Sequence, residues 1–148
     1  MRLYPHPVIS PEYFQLLPHS SVSKIKALLV PHDRYISPQI VTDQFDIMLT
    51  TFYPKEDYTS VTFTNDVTMY FEILSQSIHK TRNFIATYYF RHQYMMMYGK
   101  PTSDVINGNV LFVHAKNIHD DIYDTFPHSV SYNLVEEILE IHEIQCNT

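Results

Sequence analysis

Only two of the 148 residues are glycine, Gly99 and Gly108. Loops that cradle a phosphate, and the strained turn that presents a serine nucleophile, need glycine for close backbone approach and for positive φ. Neither a dinucleotide fingerprint nor a P-loop can therefore be written anywhere in this chain. Small residues are scarce in general: three alanines stand against twelve tyrosines and nine phenylalanines, with no tryptophan. A core built from these residues is bulky and aromatic. The length suits one domain, 1–148, that buries roughly two-thirds of the surface of its unfolded chain.

Charge is divided unevenly. Residues 1–100 carry nine Lys/Arg against eight Asp/Glu, whereas residues 101–148 carry eight acids and one base, Lys116. Nucleic-acid binding usually shows a basic stripe, because phosphate neutralisation supplies much of the affinity. None is visible, so a nucleic-acid partner is not expected. The single cysteine, Cys146, closes no internal disulfide and cannot supply a thiolate zinc cluster. No apolar run has signal-peptide length or reaches the ~18 residues of a membrane span. The expectation is an intracellular chain, cytoplasmic or nuclear, without a membrane segment.

Along the chain, six of the nine prolines fall in the first 38 residues. Residues 1–10 read as an extended arm, followed by a short helix "PEYFQLL". Residues 23–30, "SKIKALLV", alternate and then become wholly apolar, as a strand entering a core does. Ser37-Pro38 repeats a cap-then-proline signature, and a helix over 38–52 follows with Ile40, Val41, Phe45, Met48 and Leu49 on one face. Residues 58–64, "YTSVTFT", read as a strand, and residues 65–80 as a helix that buries Val67, Tyr70, Phe71, Leu74 and Ile78. Residues 81–98 could be either; the absence of a breaker before Gly99 favours helix. Asn107-Gly108 marks a hairpin turn. An amphipathic helix over 133–145 closes the chain, with Asn133 and Glu136 at its start. The architecture expected is α+β, with two to four strands, about four helices, a Pro-rich arm and an amphipathic C-terminal helix.

Four stretches carry candidate chemistry. "VHAKNIHDDIYDTFPH", residues 113–128, holds three histidines and three aspartates. If 119–124 is a short helix, Asp120 and Asp124 share a face at i, i+4. With His114 and His119 they could hold a hard or borderline cation. Aspartates in a first helical turn also suit the macrodipole with no ligand, and that bland reading is preferred. "YYFRHQYMMMY" concentrates Tyr88, Tyr89, Arg91, Tyr94, Met95, Met96, Met97 and Tyr98. If helical, its apolar side chains cover more than one core-facing stripe. Tyrosine, methionine and arginine are interface residues, so this is the candidate docking segment.

The triplets His19-Ser20-Ser21 and His79-Lys80-Thr81 resemble the paired H-x-[ST] motifs of the 2H phosphoesterases. In those enzymes two histidines act as base and acid on a phosphodiester. Pro18 before the first triplet and Arg82-Asn83 after the second depart from the apolar flanks of that family. "KALLVPHDRY", residues 26–35, is similar over ten residues to a stretch of the Memo-like family, with Arg34 where the motif has glycine. It is read here as a strand that ends at Pro31, with His32 and Asp33 in the following loop. No serine or cysteine is selected as a nucleophile, and no cofactor is implied.

The leading expectation is a non-enzymatic interaction or structural subunit, whose partners are other proteins or itself. The skew toward Tyr, Phe, Ile and His with few Ala and Gly resembles small proteins of large DNA viruses, which implies an accessory or assembly role. The alternative is a small histidine-dependent hydrolase or phosphodiesterase, with or without a metal.

Overall fold

The computed structural model describes residues 23–55, 57–73, 80–119 and 122–147, with the backbone alone for 116–119 and 122–126. The elements run β1 (Lys24–Val30), β2 (Gln39–Gln44), α1 (Phe45–Phe52), β3 (Tyr58–Thr62), β4 (Val67–Glu72), α2 (Phe84–Tyr98), β5 (Val110–His119), β6 (Ile122–His128) and α3 (Tyr132–Cys146). All six strands join one antiparallel sheet in the order β2-β1-β5-β4-β3, and β6 pairs with the distal half of β5. Six strands and three helices among the described residues replace the expected two to four strands and four helices. The fold is a sheet-dominated α+β. The expected arm and the helix at "PEYFQLL" lie outside the described residues.

Alternation along the inner strands divides the core in two. Leu28 and Val30 of β1, Met69 of β4 and Val110 and Phe112 of β5 face α2 and α3, where Ile85, Ala86, Tyr89, Leu134, Ile138 and Ile141 meet them. Ile25, Ala27, Leu111 and Val113 face the opposite way, toward Phe45 and Met48 of α1 and Tyr53. The sheet is therefore covered on both sides, and its inner strands read as continuous apolar runs. Aromatics do the filling that small residues do elsewhere. Phe63, Tyr89 and Phe112 meet edge to face, with centroids 5.6 and 5.2 Å apart, a geometry that adds to simple burial.

Three helix expectations are overturned. The described part of 65–80 is turn and strand rather than helix, and Leu74 and Ile78 lie outside the described residues. Asn65 and Asp66 make the turn between β3 and β4: Asp66 has φ 65, and Asn65 Oδ1 accepts from Val67 N at 3.3 Å. β4 is an inner strand buried on both faces, so Val67, Tyr70 and Phe71 are all apolar without sharing one side. That pattern imitated a helical stripe. In residues 38–52 the first half is β2, held by a six-residue register against β1, and helix starts only at Phe45. Ile40, expected inside, is exposed on this edge. The third, over 119–124, is strand in its described part, where Asn117 of β5 faces Tyr123 of β6 and His119 faces Ile122.

Asn107-Gly108 is a turn but not a hairpin. Asn107 bridges Arg82, and Gly108, at φ 80, donates its N–H to the Thr81 carbonyl at 2.8 Å, which delivers the chain into β5. Residues 84–98 are helical as expected. Asn83 caps the start, and Gly99 ends it at φ 68 with its N–H on the Met95 carbonyl at 2.8 Å. The final helix begins one residue earlier than expected and is capped by Ser131 rather than Asn133. No helix among the described residues is long and apolar enough to cross a membrane.

Candidate docking surface

The outward side of α2 is positioned by one buried residue. Asn83 is fully buried and makes three side-chain bonds. Its Oδ1 accepts from Ala86 N at 3.0 Å, while its Nδ2 donates to the carbonyls of Val30 at 3.0 Å and Gly108 at 2.9 Å. The start of α2 is thereby tied to the end of β1 and to the chain entering β5. Thr87, one turn on, closes a second clasp through its Oγ1 to the N–H and carbonyl of Ile106 at 3.0 and 3.2 Å. Arg82 and Phe84, on either side of Asn83, are fixed by this bracket.

Around Phe84 the arginines gather. The Arg82 guanidinium lies 5.2 Å from the Phe84 ring centroid, and that of Arg34, from the loop after β1, lies 5.3 Å from it. Both distances are within cation–π range. Arg34 also lies 5.2 Å from the Tyr35 ring and donates to Tyr35 Oη at 3.1 Å. Farther along α2, Arg91 donates to the carbonyls of Ser103 and Asp104, each at 3.0 Å, and pins residues 101–104 beside the helix. Among the described residues none of these arginines forms an ion pair; the pair recorded there is Lys80–Glu72 at 3.8 Å. Arg82 Nε is also buried without a hydrogen-bond partner, a costly arrangement for a donor.

Two grooves meet on this face. One, of about 460 Å³, is lined by Arg82, Phe84, Tyr88, Arg91, His92 and Met95, with Pro101 and Thr102 on its rim. The other, of about 200 Å³, runs between α2 and α3 and is lined by Tyr88, His92, Glu137, Glu140 and Ile144. Tyr88 and His92 belong to both. The first groove is basic and the second acidic. Desolvation beside α2 pushes the Glu137 carboxyl above its ordinary range; His92 pulls it down and Glu140 pushes it further up.

The segment singled out in the sequence divides between surface and core. Tyr88 (47%), Met95, Met96 (71%) and Tyr98 are exposed, while Arg91, Tyr94 and Met97 are partly buried. Tyr94 packs on Tyr98 with centroids 4.7 Å apart, and Met97 packs against the core. Tyr89 is 1% exposed and belongs to the core; its Oη accepts from Asn65 Nδ2 at 2.9 Å. Burial, opposed by that hydrogen bond and reinforced by Glu137, pushes its phenol up to about 12. The sequence reading missed Arg34, Arg82, Phe84, Glu137 and Glu140. The signal available was Arg-Tyr at 34–35 and Arg-x-Phe at 82–84, and nothing in the spacing joins them.

The histidine–aspartate stretch does not form the expected helical face, because Asp124 lies in β6. Asp120 lies outside the described residues, as do the side chains of His119 and Asp124. Among the described residues no group of three or more His, Cys, Asp or Glu is placed to hold a metal. His114 is a fastening. Its Nδ1 is 3.1 Å from the Asp66 carbonyl, an acceptor, so in the neutral ring Nδ1 carries the proton. Nε2, 3.0 Å from Ser131 Oγ, then accepts from the hydroxyl. This has the outline of a serine–histidine pair, but Ser131 Oγ also caps α3 by accepting from Leu134 N at 3.2 Å. The contact joins β5, the β3–β4 turn and α3. Near the end of α3 the Cys146 thiol donates to the Arg34 carbonyl at 3.1 Å, and its Sγ lies 3.3 Å from His142 Nε2. The last residues of α3 are thus tied to the arginine-bearing loop. His19 and His79 lie outside the described residues.

No family model and no curated protein matches this chain. Among solved structures it is similar to the crystal structure of small RNA methyltransferase HEN1, with a TM-score of 0.50 and 15% identity, over 79% of this chain and 16% of that one. The likeness is one of fold alone, and the chain corresponds to a small fraction of that protein's length.

Proposed function

We propose that the chain is a non-enzymatic interaction subunit that docks on other protein through the outward face of α2, its flanking loop and the adjoining side of α3. One observation carries the reading. A helix whose inner side is locked into the core presents Tyr88, Met95 and Met96 outward beside arginines that, among the described residues, pair with no carboxylate. Tyrosine, methionine and arginine are enriched at interface cores, and lysine is depleted there. The described part of this face carries no lysine among its groove-lining residues.

The test is native mass spectrometry of the purified chain beside Met95→Asp. Met95 is exposed, so the variant keeps its fold and its melting temperature. The wild type is expected as an assembly, either a multiple of the chain mass or a complex with a second protein, and the variant as the bare 17.5 kDa chain. A bare wild-type monomer would sink the proposal.

A further inference from the structure

We infer that the partner of this face is a second copy of the chain, related by a two-fold axis near Tyr88 and His92. The inference rests on the docking reading above and names its occupant. Its ground is the arrangement of charge. Arg34, Arg82 and Arg91 lie on one side of the shared residues Tyr88 and His92, while Glu137 and Glu140 lie on the other. Among the described residues neither set makes an ion pair within the chain. A uniformly acidic partner would meet the arginines and be repelled by α3. A uniformly basic one would meet the glutamates and be repelled around Phe84. The occupant must carry both signs in the inverse order, and a copy rotated by a half-turn does so. Such an interface is isologous: the basic half of each subunit meets the acidic half of the other, twice.

The middle of the face supports the same conclusion. Tyr88 stands where the two grooves meet, Met95 lies beside it in the arginine groove, and the exposed Ile144 (54%) continues the apolar strip onto α3. A desolvated apolar centre flanked by charge is the usual anatomy of an interface. Complementary charge also fixes the relative orientation of the two chains.

The experiment uses two charge-reversed chains, Arg82→Glu/Arg91→Glu and Glu137→Arg/Glu140→Arg, with sedimentation velocity and native mass spectrometry as readouts. Wild type is expected to dimerise, at twice 17.5 kDa, with an affinity that falls as salt is raised. Each variant alone loses the complementary charge order, with Arg34 the one arginine of the basic half left in the first, and should dimerise at least tenfold more weakly, by roughly 1.4 kcal/mol or more. An equimolar mixture should form heterodimers, and because only folded chains pair, it also serves as the folding control. Variants that dimerise like wild type, or a mixture that stays monomeric, would overturn the inference. A wild-type chain that carries a different protein instead of its own copy would overturn the second-copy occupant and leave the docking reading standing. A bare monomer at every concentration would end both.

Discussion

Asn83 is where the fold and the proposed face depend on the same side chain, so Asn83→Ala is the most informative single substitution. Alanine removes the cap on α2, which costs about 1 kcal/mol. It also removes two hydrogen bonds donated to the Val30 and Gly108 carbonyls, each contributing about 1 kcal/mol net in a buried site. The total is about 3 kcal/mol. For a chain of this length a loss of 1 kcal/mol lowers the melting temperature by about 3–4 °C, so a drop of about 10 °C is expected by circular dichroism. Asn83→Asp separates the contributions. The carboxylate still accepts from Ala86 N but faces two carbonyls with no proton to donate. Its deficit should match or exceed that of alanine at neutral pH and shrink as the pH falls and the acid regains a donor. A drop of less than about 3 °C for alanine, or an aspartate variant as stable as wild type at pH 7, would show that Asn83 does not bind the three segments together.

Two further expectations follow from neighbouring contacts. Ser131→Ala removes the cap on α3 and the His114 contact together, and should cost about 1 kcal/mol in urea unfolding. Adding His114→Ala to it should cost less than His114→Ala does alone, since the two residues share one bond; strict additivity would contradict the fastening assigned to them. Glu137 has its carboxyl raised in the folded chain. Over the window from its ordinary 4.5 up to the raised value, the native chain holds a proton that the unfolded chain has released. Stability therefore falls as pH rises through that window, and Glu137→Gln should flatten this slope and be the more stable chain above it. A steeper pH dependence in the variant would reverse the sign argued here.

The elements legible in the sequence are those whose local signals agree with their surroundings. β1 carries its alternation because its two faces meet different layers, and α3 has a single wet side opposite Leu134, Ile138 and Ile141. α2 was legible through its C-terminal end, since Gly99 marks the stop that its all-round apolar composition obscures; its cap, Asn83, was not read from the sequence. β4 was not. Burial on both faces erased its period of two, and the spacing left behind suited a helix equally well. β2 shares a cap-like Ser-Pro and a run of apolar residues with the helix that follows, and its register with β1 is information that local pattern does not hold. The aspartates after His119 suggested a helical turn, whereas pairing with residues 114–119 draws 122–128 into a hairpin.

For the surface, Tyr88, Met95 and Met96 could be found from composition, because a run of exposed tyrosine and methionine is unusual whatever its neighbours. Arg34 and Arg82 could not. They are separated by β2, α1 and the β3–β4 hairpin, and converge on Phe84 only because Asn83 and the end of β1 are bonded to each other. The acidic half was visible as an excess of acids in the final third, but its position beside the arginines was not.

The most direct test of the account is site-specific photo-crosslinking of the purified chain, with the photoreactive group placed at Tyr88 in one sample and at Ile40 in another. Ile40 is as exposed as Tyr88, sits on the β2 edge strand and lines neither groove. The account predicts a dimer-mass crosslink from position 88, formed to residues of α2 and α3 on the other chain, and none from position 40. Equal crosslinking from both positions, or none from position 88, would contradict the claim that this face is where the protein docks.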